Sequence, residues 1–575
     1  MSKSLIVERD VEMKTRDGVI LRADVYRPGQ AGNYPVILQR TPYGKGFSQI
    51  PLALMAAERG YAVVIQDTRG RWASEGDSYP FINEKNDGYD AVEWAGNQPW
   101  ANGKVGMFGS SYVGYTQLAS AVMHPPSLKT ITPTITFSDL SRLAYVNGAL
   151  ALGAMVSWGY LAGAMMAVMR HPGNDLEKAL LMGQLISAVD GMSLGNTMNT
   201  IPIKDMPLIG DSDLTPYFRD GLTHPPGDEY WQRGLCKHED IQIPALHIGG
   251  WYDLFIDSTL KDFTGIQQKG NPSQKLIIGP WVHGAFDGLN GEVDFGLQAS
   301  ALLLLPDEIL LRWFDHWLKE IPNGIMEEPP IQIFVMGTNQ WRSEYEWPLA
   351  RTRYTPFYLH SGGGANTLNG DGSLSQEKPS VEPIDNFAYD PLNPVPTRGG
   401  ALCCWEAALP AGAYDQRSVE ERPDVLVYTT PPLEQDLEVT GAIQVHLWAS
   451  TTAVDTDFTA KLVDVGPCKG GGCTGYARNV QDGIIRTRYR NPGEVALLKP
   501  GKIYEFIIDL AATSNVFKAG HRIRIEISSS NFPRFDRNPN TGASTSDTSE
   551  LRPALQTIYH DAEHPSHILL PVIPG

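Results

Sequence analysis

The sequence predicts two kinds of domain in series: a layered α/β domain on a parallel sheet, split by a helical insertion, and then an all-β sandwich. Three observations carry this. From about residue 5 to 140, short apolar runs alternate with helix-compatible runs, which is the βαβ order of an α/β sheet. The alternation stops near 141, where an Ala-, Met-, Leu- and Gly-rich run takes over, and resumes at Ile243. Beyond Thr397 the chain changes to short alternating strands. The boundaries expected are 1–140 and 239–348 for the two parts of the α/β domain, 141–238 for the insertion and 349–575 for the all-β domain. A chain of 575 residues needs more than one core.

Taken in order, Val11 to Tyr26 reads as a hairpin around Asp17-Gly18. Val36 to Arg40 and Tyr61 to Asp67 read as core strands, with helices at Pro51 to Gly60 and Asp87 to Asn97. Gly148 to Met169 carries no charge and is long enough to span a membrane. Its four glycines and its isolation favour buried helices of the insertion instead. Leu302 to Lys319 is an amphipathic helix, and Pro348 to Thr397, rich in Pro, Gly and Ser, holds the domain boundary. Strands follow at Ile443 to Ala449, Asp457 to Val465, Ile503 to Leu510, Ile523 to Ser528 and His567 to Val572. Their spacing describes an antiparallel sandwich of jelly-roll type.

Composition excludes several functions. Hydrophobic content of 42% and charged content of 19% are those of a globular protein. A net charge of −18 argues against nucleic acid as a partner. Met1 to Arg9 has no apolar signal core, so the expected location is cytoplasmic. Five cysteines make no disulfide scaffold. Cys403 and Cys404 are adjacent. Cys468 and Cys473 bracket Lys-Gly-Gly-Gly, and either close a small disulfide or stay reduced. No histidine lies near them, so no zinc site, metal or cofactor is expected.

The chemistry is written at three strand ends. Val105 to Ser110 is an apolar stretch ending in small residues, and Tyr115 to Ala121 is helix-compatible. Ser111 sits at the apex of this strand–turn–helix, the layout of a nucleophile elbow. There a serine hydroxyl is exposed, and free N–H groups of the helix start face a developing oxyanion. The string departs from G-x-S-x-G: Val113 stands at the second glycine position and Gly114 comes one later. Ser110 is the weaker nucleophile, because Phe108 would then hold the preceding glycine's place. Ile243 to Gly250 is an apolar run that delivers Asp253, and Leu276 to Gly279 opens another that delivers His283. The order Ser, Asp, His matches a triad assembled at the carboxyl ends of parallel strands. Asp67 also follows a strand but precedes the serine. It reads as part of a structural salt-bridge loop.

The strings Arg40-Thr41-Pro42-Tyr43, Asp67-Thr68-Arg69-Gly70, Gly109-Ser110-Ser111-Tyr112, Gly249-Gly250-Trp251-Tyr252-Asp253 and Gly279-Pro280-Trp281-Val282-His283 resemble the cocaine esterase family. That family is related to the X-Pro dipeptidyl peptidases and the α-amino-acid ester hydrolases. The resemblance covers essentially the whole chain. It implies an α/β-hydrolase core with an inserted helical cap and a C-terminal jelly roll. It makes Ser111 the nucleophile, His283 the general base and Asp253 its orienting acid. It also assigns the oxyanion hole to the Tyr43 phenol and the Tyr112 backbone N–H.

Leu254, Phe255 and Ile256 follow Asp253, where α-amino-acid ester hydrolases carry acidic residues for a substrate ammonium. A buried ammonium without carboxylates is costly. The expectation is therefore a serine carboxylic-ester hydrolase for apolar or aromatic acyl groups, with Phe255, Trp158 and Trp281 lining the substrate site. One alternative is an aminoacyl-ester hydrolase, acylase or X-Pro aminopeptidase whose ammonium clamp comes from the cap, through Asp205, Asp211 or Asp213. Another is a binding protein with an inactive core. The expected partner is a small-molecule ester, without nucleic acid or membrane, and a homodimer is the candidate assembly.

Overall fold

The computed structural model describes residues 4–301, 306–467, 475–491 and 493–575. The first layer system is a ten-stranded sheet in the order β1-β2-β4-β3-β5-β6-β9-β10-β13-β14. Its leading strands are β1 (Leu5–Lys14), β2 (Ile20–Pro28), β3 (Tyr34–Thr41), β4 (Ala62–Asp67), β5 (Ala101–Ser110) and β6 (Leu128–Thr134). The later ones are β9 (Ala245–Tyr252), β10 (Gln274–Val282), β13 (Ile331–Val335) and β14 (Gln340–Glu344). Two short pairs stand outside it, β7–β8 (Tyr145–Val146 with Ala149–Leu150) and β11–β12 (Leu289–Asn290 with Val293–Asp294). Strands β4, β3, β5, β6, β9, β10 and β13 run parallel, and antiparallel pairs close both edges.

Alternation along the strands assigns the helices to the two faces. Val36 and Leu38 of β3 pack with α2 (Glu84–Gly96) and α3 (Tyr112–Ala121), through Ala91, Val92 and Leu118. Ile37 points the other way, toward α1 (Ile50–Glu58) and Trp313 and Phe314 of α10 (Pro306–Lys319). The amphipathic helix expected from Leu302 is described from Pro306, and Leu302 to Leu305 lie outside the described residues.

Residues 141–238 contain α4 (Ser141–Ala144), α5 (Leu152–Trp158), α6 (Met165–Met169), α7 (Asp175–Ser193) and α8 (Pro216–Thr223), with no strand joining the main sheet. The uncharged run expected between Gly148 and Met169 forms α5 and α6 with a π-helical stretch at Gly159–Ala164 between them. Val156, Tyr160 and Ala164 there are fully buried against Ile209 and Phe218. Helix α9 (Ile256–Gln268) returns the chain from β9 to β10.

Among the described residues the second layer system holds eleven strands, nearly all antiparallel. They are β15 (Arg353–His360), β16 (Ser373–Ser375), β17 (Asp385–Tyr389), β18 (Leu426–Thr429), β19 (Leu437–Thr451) and β20 (Asp457–Gly466), then β21 (Tyr476–Arg486), β22 (Tyr504–Phe517), β23 (Arg522–Ser528), β24 (Ala554–Tyr559) and β25 (His567–Ile573). The Pro/Gly/Ser-rich stretch before Thr397 is thus not simple linker but carries β15, β16 and β17. One hydrophobic cluster runs from Leu152 of α5 through Trp251 of β9 to Val445 and Ile525 of the β-rich domain.

Candidate functional site

Four of the expected residues meet at the carboxyl ends of parallel strands. Tyr43 follows β3, Ser111 follows β5, Asp253 follows β9 and His283 follows β10. Ser111 caps α3 with φ 58° and ψ −123°, a conformation that costs an L-residue energy and marks an elbow. Two glycines make the turn possible. A Cβ on Gly109, whose φ is +131°, would stand 2.2 Å from Val113 Cγ1. One on Gly114 would stand 2.6 Å from Thr136 Cβ, so the displaced glycine lets α3 press against the segment after β6.

The Ser111 hydroxyl lies 3.0 Å from His283 Nε2, and His283 Nδ1 lies 2.6 Å from Asp253 Oδ1. Asp253 is fully buried, and its other oxygen accepts the Phe255 N–H at 3.2 Å. The Tyr43 ring is partly exposed at the rim, while its hydroxyl turns inward beside Ser111 and accepts from Trp158 Nε1 at 3.2 Å. Burial pushes the Tyr43 phenol above its ordinary range, so it stays a neutral donor. Tyr112 is the first residue of α3, where a backbone N–H has no intrahelical acceptor.

The supporting contacts were only partly legible. Trp72 Nε1 and Arg71 Nε both donate to the Pro42 carbonyl, at 3.0 and 3.2 Å, and so fix the approach to Tyr43. The Asp67 carboxylate accepts the Lys45 N–H at 2.7 Å, and Arg69 pairs with Asp17 and Asp87. These ion pairs and hydrogen bonds hold the loop in place. The buried pair Arg40–Glu84 carries a further bond, from the Tyr112 hydroxyl to Glu84 at 2.8 Å. It clamps the start of α3 from below, and nothing in sequence spacing linked these two residues.

The cleft above Ser111 opens to solvent and spans, with that solvent, about 1140 Å³, with Phe47, Trp158, Leu161 and Ala162 among its walls. No carboxylate lines it among the described residues. Trp158 stacks toward Tyr112 and Phe81 and separates the cleft from an aromatic cluster that includes Tyr79, Tyr217 and Tyr230. Two expected lining residues stand elsewhere. Phe255 is buried edge-on behind the His283 ring, 5.4 Å between centroids, and packs on Phe137. Trp281 is turned into the α10 layer, where Nε1 donates to the Ala299 carbonyl at 2.7 Å. Both sit next to catalytic-type residues in sequence, but alternation and the breaks after β9 and β10 send them into the core. The carboxylates Asp205, Asp211 and Asp213 of the helical region are exposed to solvent and outside the cleft lining.

Cys403 and Cys404 form a disulfide between neighbours, which the low cysteine count did not suggest. Cys404 lines the cleft together with Ser111 and His283. Cys468 and Cys473 lie outside the described residues.

Residues 17–285 match the model of the X-Pro dipeptidyl-peptidase (S15 family), and residues 323–569 match the X-Pro dipeptidyl-peptidase C-terminal non-catalytic domain. The chain is 40% identical to the cocaine esterase of Rhodococcus sp. (strain MB1 Bresler), over 99% of this chain and 98% of that protein. Among solved structures it is similar to an aminopeptidase from the marine sediment archaeon Thaumarchaeota archaeon (26% identity, 100% and 97% of the chains covered, TM-score 0.81). It is likewise similar to an α-amino acid ester hydrolase (26% identity, 99% and 97% covered, TM-score 0.79).

Proposed function

The chain belongs to the cocaine esterase family of S15-type hydrolases, and from that membership we propose a serine carboxylic-ester hydrolase that favours apolar or aromatic acyl groups. The observation that carries the reading is the relay Ser111–His283–Asp253, at 3.0 and 2.6 Å, opening on a cleft whose described lining has no carboxylate. In this reading residues 141–238 are a cap over the cleft and the C-terminal domain is a jelly roll.

The reaction follows from the geometry. Ser111 Oγ attacks the ester carbonyl carbon as His283 Nε2 takes its proton. Asp253 accepts the Nδ1–H, holds the tautomer and stabilises the imidazolium. The carbonyl oxygen becomes an oxyanion, met by the Tyr43 O–H and the Tyr112 N–H. The imidazolium returns its proton to the departing alcohol oxygen, leaving an acyl-Ser111 ester. Water then repeats the sequence and releases the acid. The aryl walls and a described lining without a carboxylate suit an uncharged acyl group, whereas an ammonium would be desolvated there without compensation.

A fluorophosphonate should label Ser111 alone, and Ser111→Ala should lower kcat by about 10⁴-fold or more. Phenyl acetate and phenyl benzoate should turn over at higher kcat/KM than D-phenylglycine methyl ester or an X-Pro anilide. Labelling at Ser110, or a tenfold preference for the aminoacyl substrates, overturns the assignment.

A further inference from the structure

The Cys403–Cys404 disulfide belongs to a segment that leaves the β-rich domain and returns to it, its ends pinned where Gly400 and Gly412 exchange backbone hydrogen bonds. Between those ends the segment lies on the helical region. Ser157 Oγ of α5 donates to the Cys403 carbonyl at 3.4 Å. Trp405 Nε1 donates to Ser193 Oγ at the end of α7, at 2.9 Å. Leu409 is buried close to Gly153, also on α5. Cys403 is buried, and Cys404 is exposed on the cleft side. Helix α5 ends at Trp158, whose indole faces Tyr43 across the cleft.

We propose that this disulfide is a wall of the substrate cleft and that the enzyme's preference for large esters depends on its being oxidised. The proposal rests on the ester-hydrolase reading above. Cys404 has φ +81°, a left-handed backbone that an L-residue adopts at a cost. The ring closed by adjacent cysteines removes the freedom to leave it. Opening the ring gives that backbone back its choice, at a position that touches the space over Ser111. Of the walls beside it, Trp158 ends α5, on which the same segment rests, and Leu161 follows in the π-helical stretch that continues from it. A small acyl group uses little of this surface and a large one uses much of it.

The exposed face of Cys404 also admits the chemistry. A thiolate of an added dithiol attacks Cys404 Sγ, and the S–S electron pair leaves on Cys403 Sγ, which takes a proton. The reagent's second thiolate then expels Cys404 as a thiolate, which is protonated in turn. The protein gains two electrons and two protons and the dithiol becomes a cyclic disulfide. A surface-accessible bond of this kind is open to reduction in a reducing compartment.

The test compares kcat/KM for phenyl benzoate and phenyl acetate, in the protein oxidised and after reduction by dithiothreitol. Differential alkylation with mass spectrometry reports the state of each cysteine. Reduction should lower the benzoate-to-acetate ratio by about tenfold, and reoxidation should restore it. The double variant C403S/C404S should carry the low ratio and not respond to the dithiol. A ratio that does not move on reduction overturns the proposal, as does a dithiol response that persists in the double variant. So do free thiols at both positions after oxidant treatment. Loss of Ser111 labelling in the oxidised protein would instead condemn the underlying hydrolase reading, which keeps the two failures distinct.

Discussion

The Tyr43 phenol is asked to donate to an oxyanion, and its surroundings keep it able to do so. Burial raises it above the ordinary tyrosine range, which favours the neutral, protonated form. The sign is therefore that activity should not fall as pH passes through the usual tyrosine value of about 10, provided the fold survives. A kcat profile that drops by half below pH of about 9 would remove Tyr43 from this role. Tyr43→Phe deletes the donor and little volume, and should cost about 10²–10³ in kcat with KM nearly unchanged. A variant within threefold of the parent would make Tyr43 structural. Ser111, Asp253 and His283 were legible because each ends an apolar strand, and strand ends in one sheet converge by topology. Phe255 and Trp281 were misread because adjacency to an active residue says nothing about which way a side chain leaves the strand.

At the scale of elements, one strand of the β-rich domain that sequence reading missed, β21, has a polar interior. In β21, Asn479, Gln481 and Asp482 are nearly fully buried, so the alternation that announces a strand is erased there. Strands β20 and β23 were found, yet they too carry buried charge: Lys461 pairs with Glu526 at 3.2 Å and Arg524 with Glu420 at 2.6 Å. Burial, reinforced by Glu526, pushes the Glu420 carboxyl up to about 8. Its folded value lies above its unfolded one, so the folded state holds the proton more tightly between the two. The stabilising contribution is complete below the unfolded value of about 4.5 and is lost as pH rises through about 8. Glu420→Gln keeps the shape without the titration. The fall in denaturant midpoint between pH of about 5 and 8 should flatten in this variant. An unchanged slope would assign the pH dependence elsewhere.

Across the whole molecule, the β-rich domain reaches directly behind Asp253, the acid of the proposed relay. The Gln481 side chain donates to the Trp251 carbonyl at 2.7 Å and to the Ala512 carbonyl at 2.9 Å. The Tyr252 hydroxyl donates to the Asn479 carbonyl at 3.2 Å. Trp251 and Tyr252 are the last residues of β9, immediately before Asp253. Together with the apolar cluster shared between the domains, these bonds make the acid's position depend on the C-terminal domain being folded. Domain boundaries were legible as changes of pattern along the chain, but this dependence was not, since it rests on contacts some 230 residues apart. Shared burial also argues for one unfolding transition, because neither partner keeps its core alone. Tryptophan fluorescence, far-ultraviolet dichroism and esterase activity should then be lost together along a urea titration. Gln481→Ala strands two buried carbonyls and should shift that common transition by about 1–3 kcal/mol, with kcat falling more than KM rises as Asp253 loses its fixed place. If the variant instead split the curve, so that activity persisted after the β-rich domain had unfolded, that domain would not be what positions the acid.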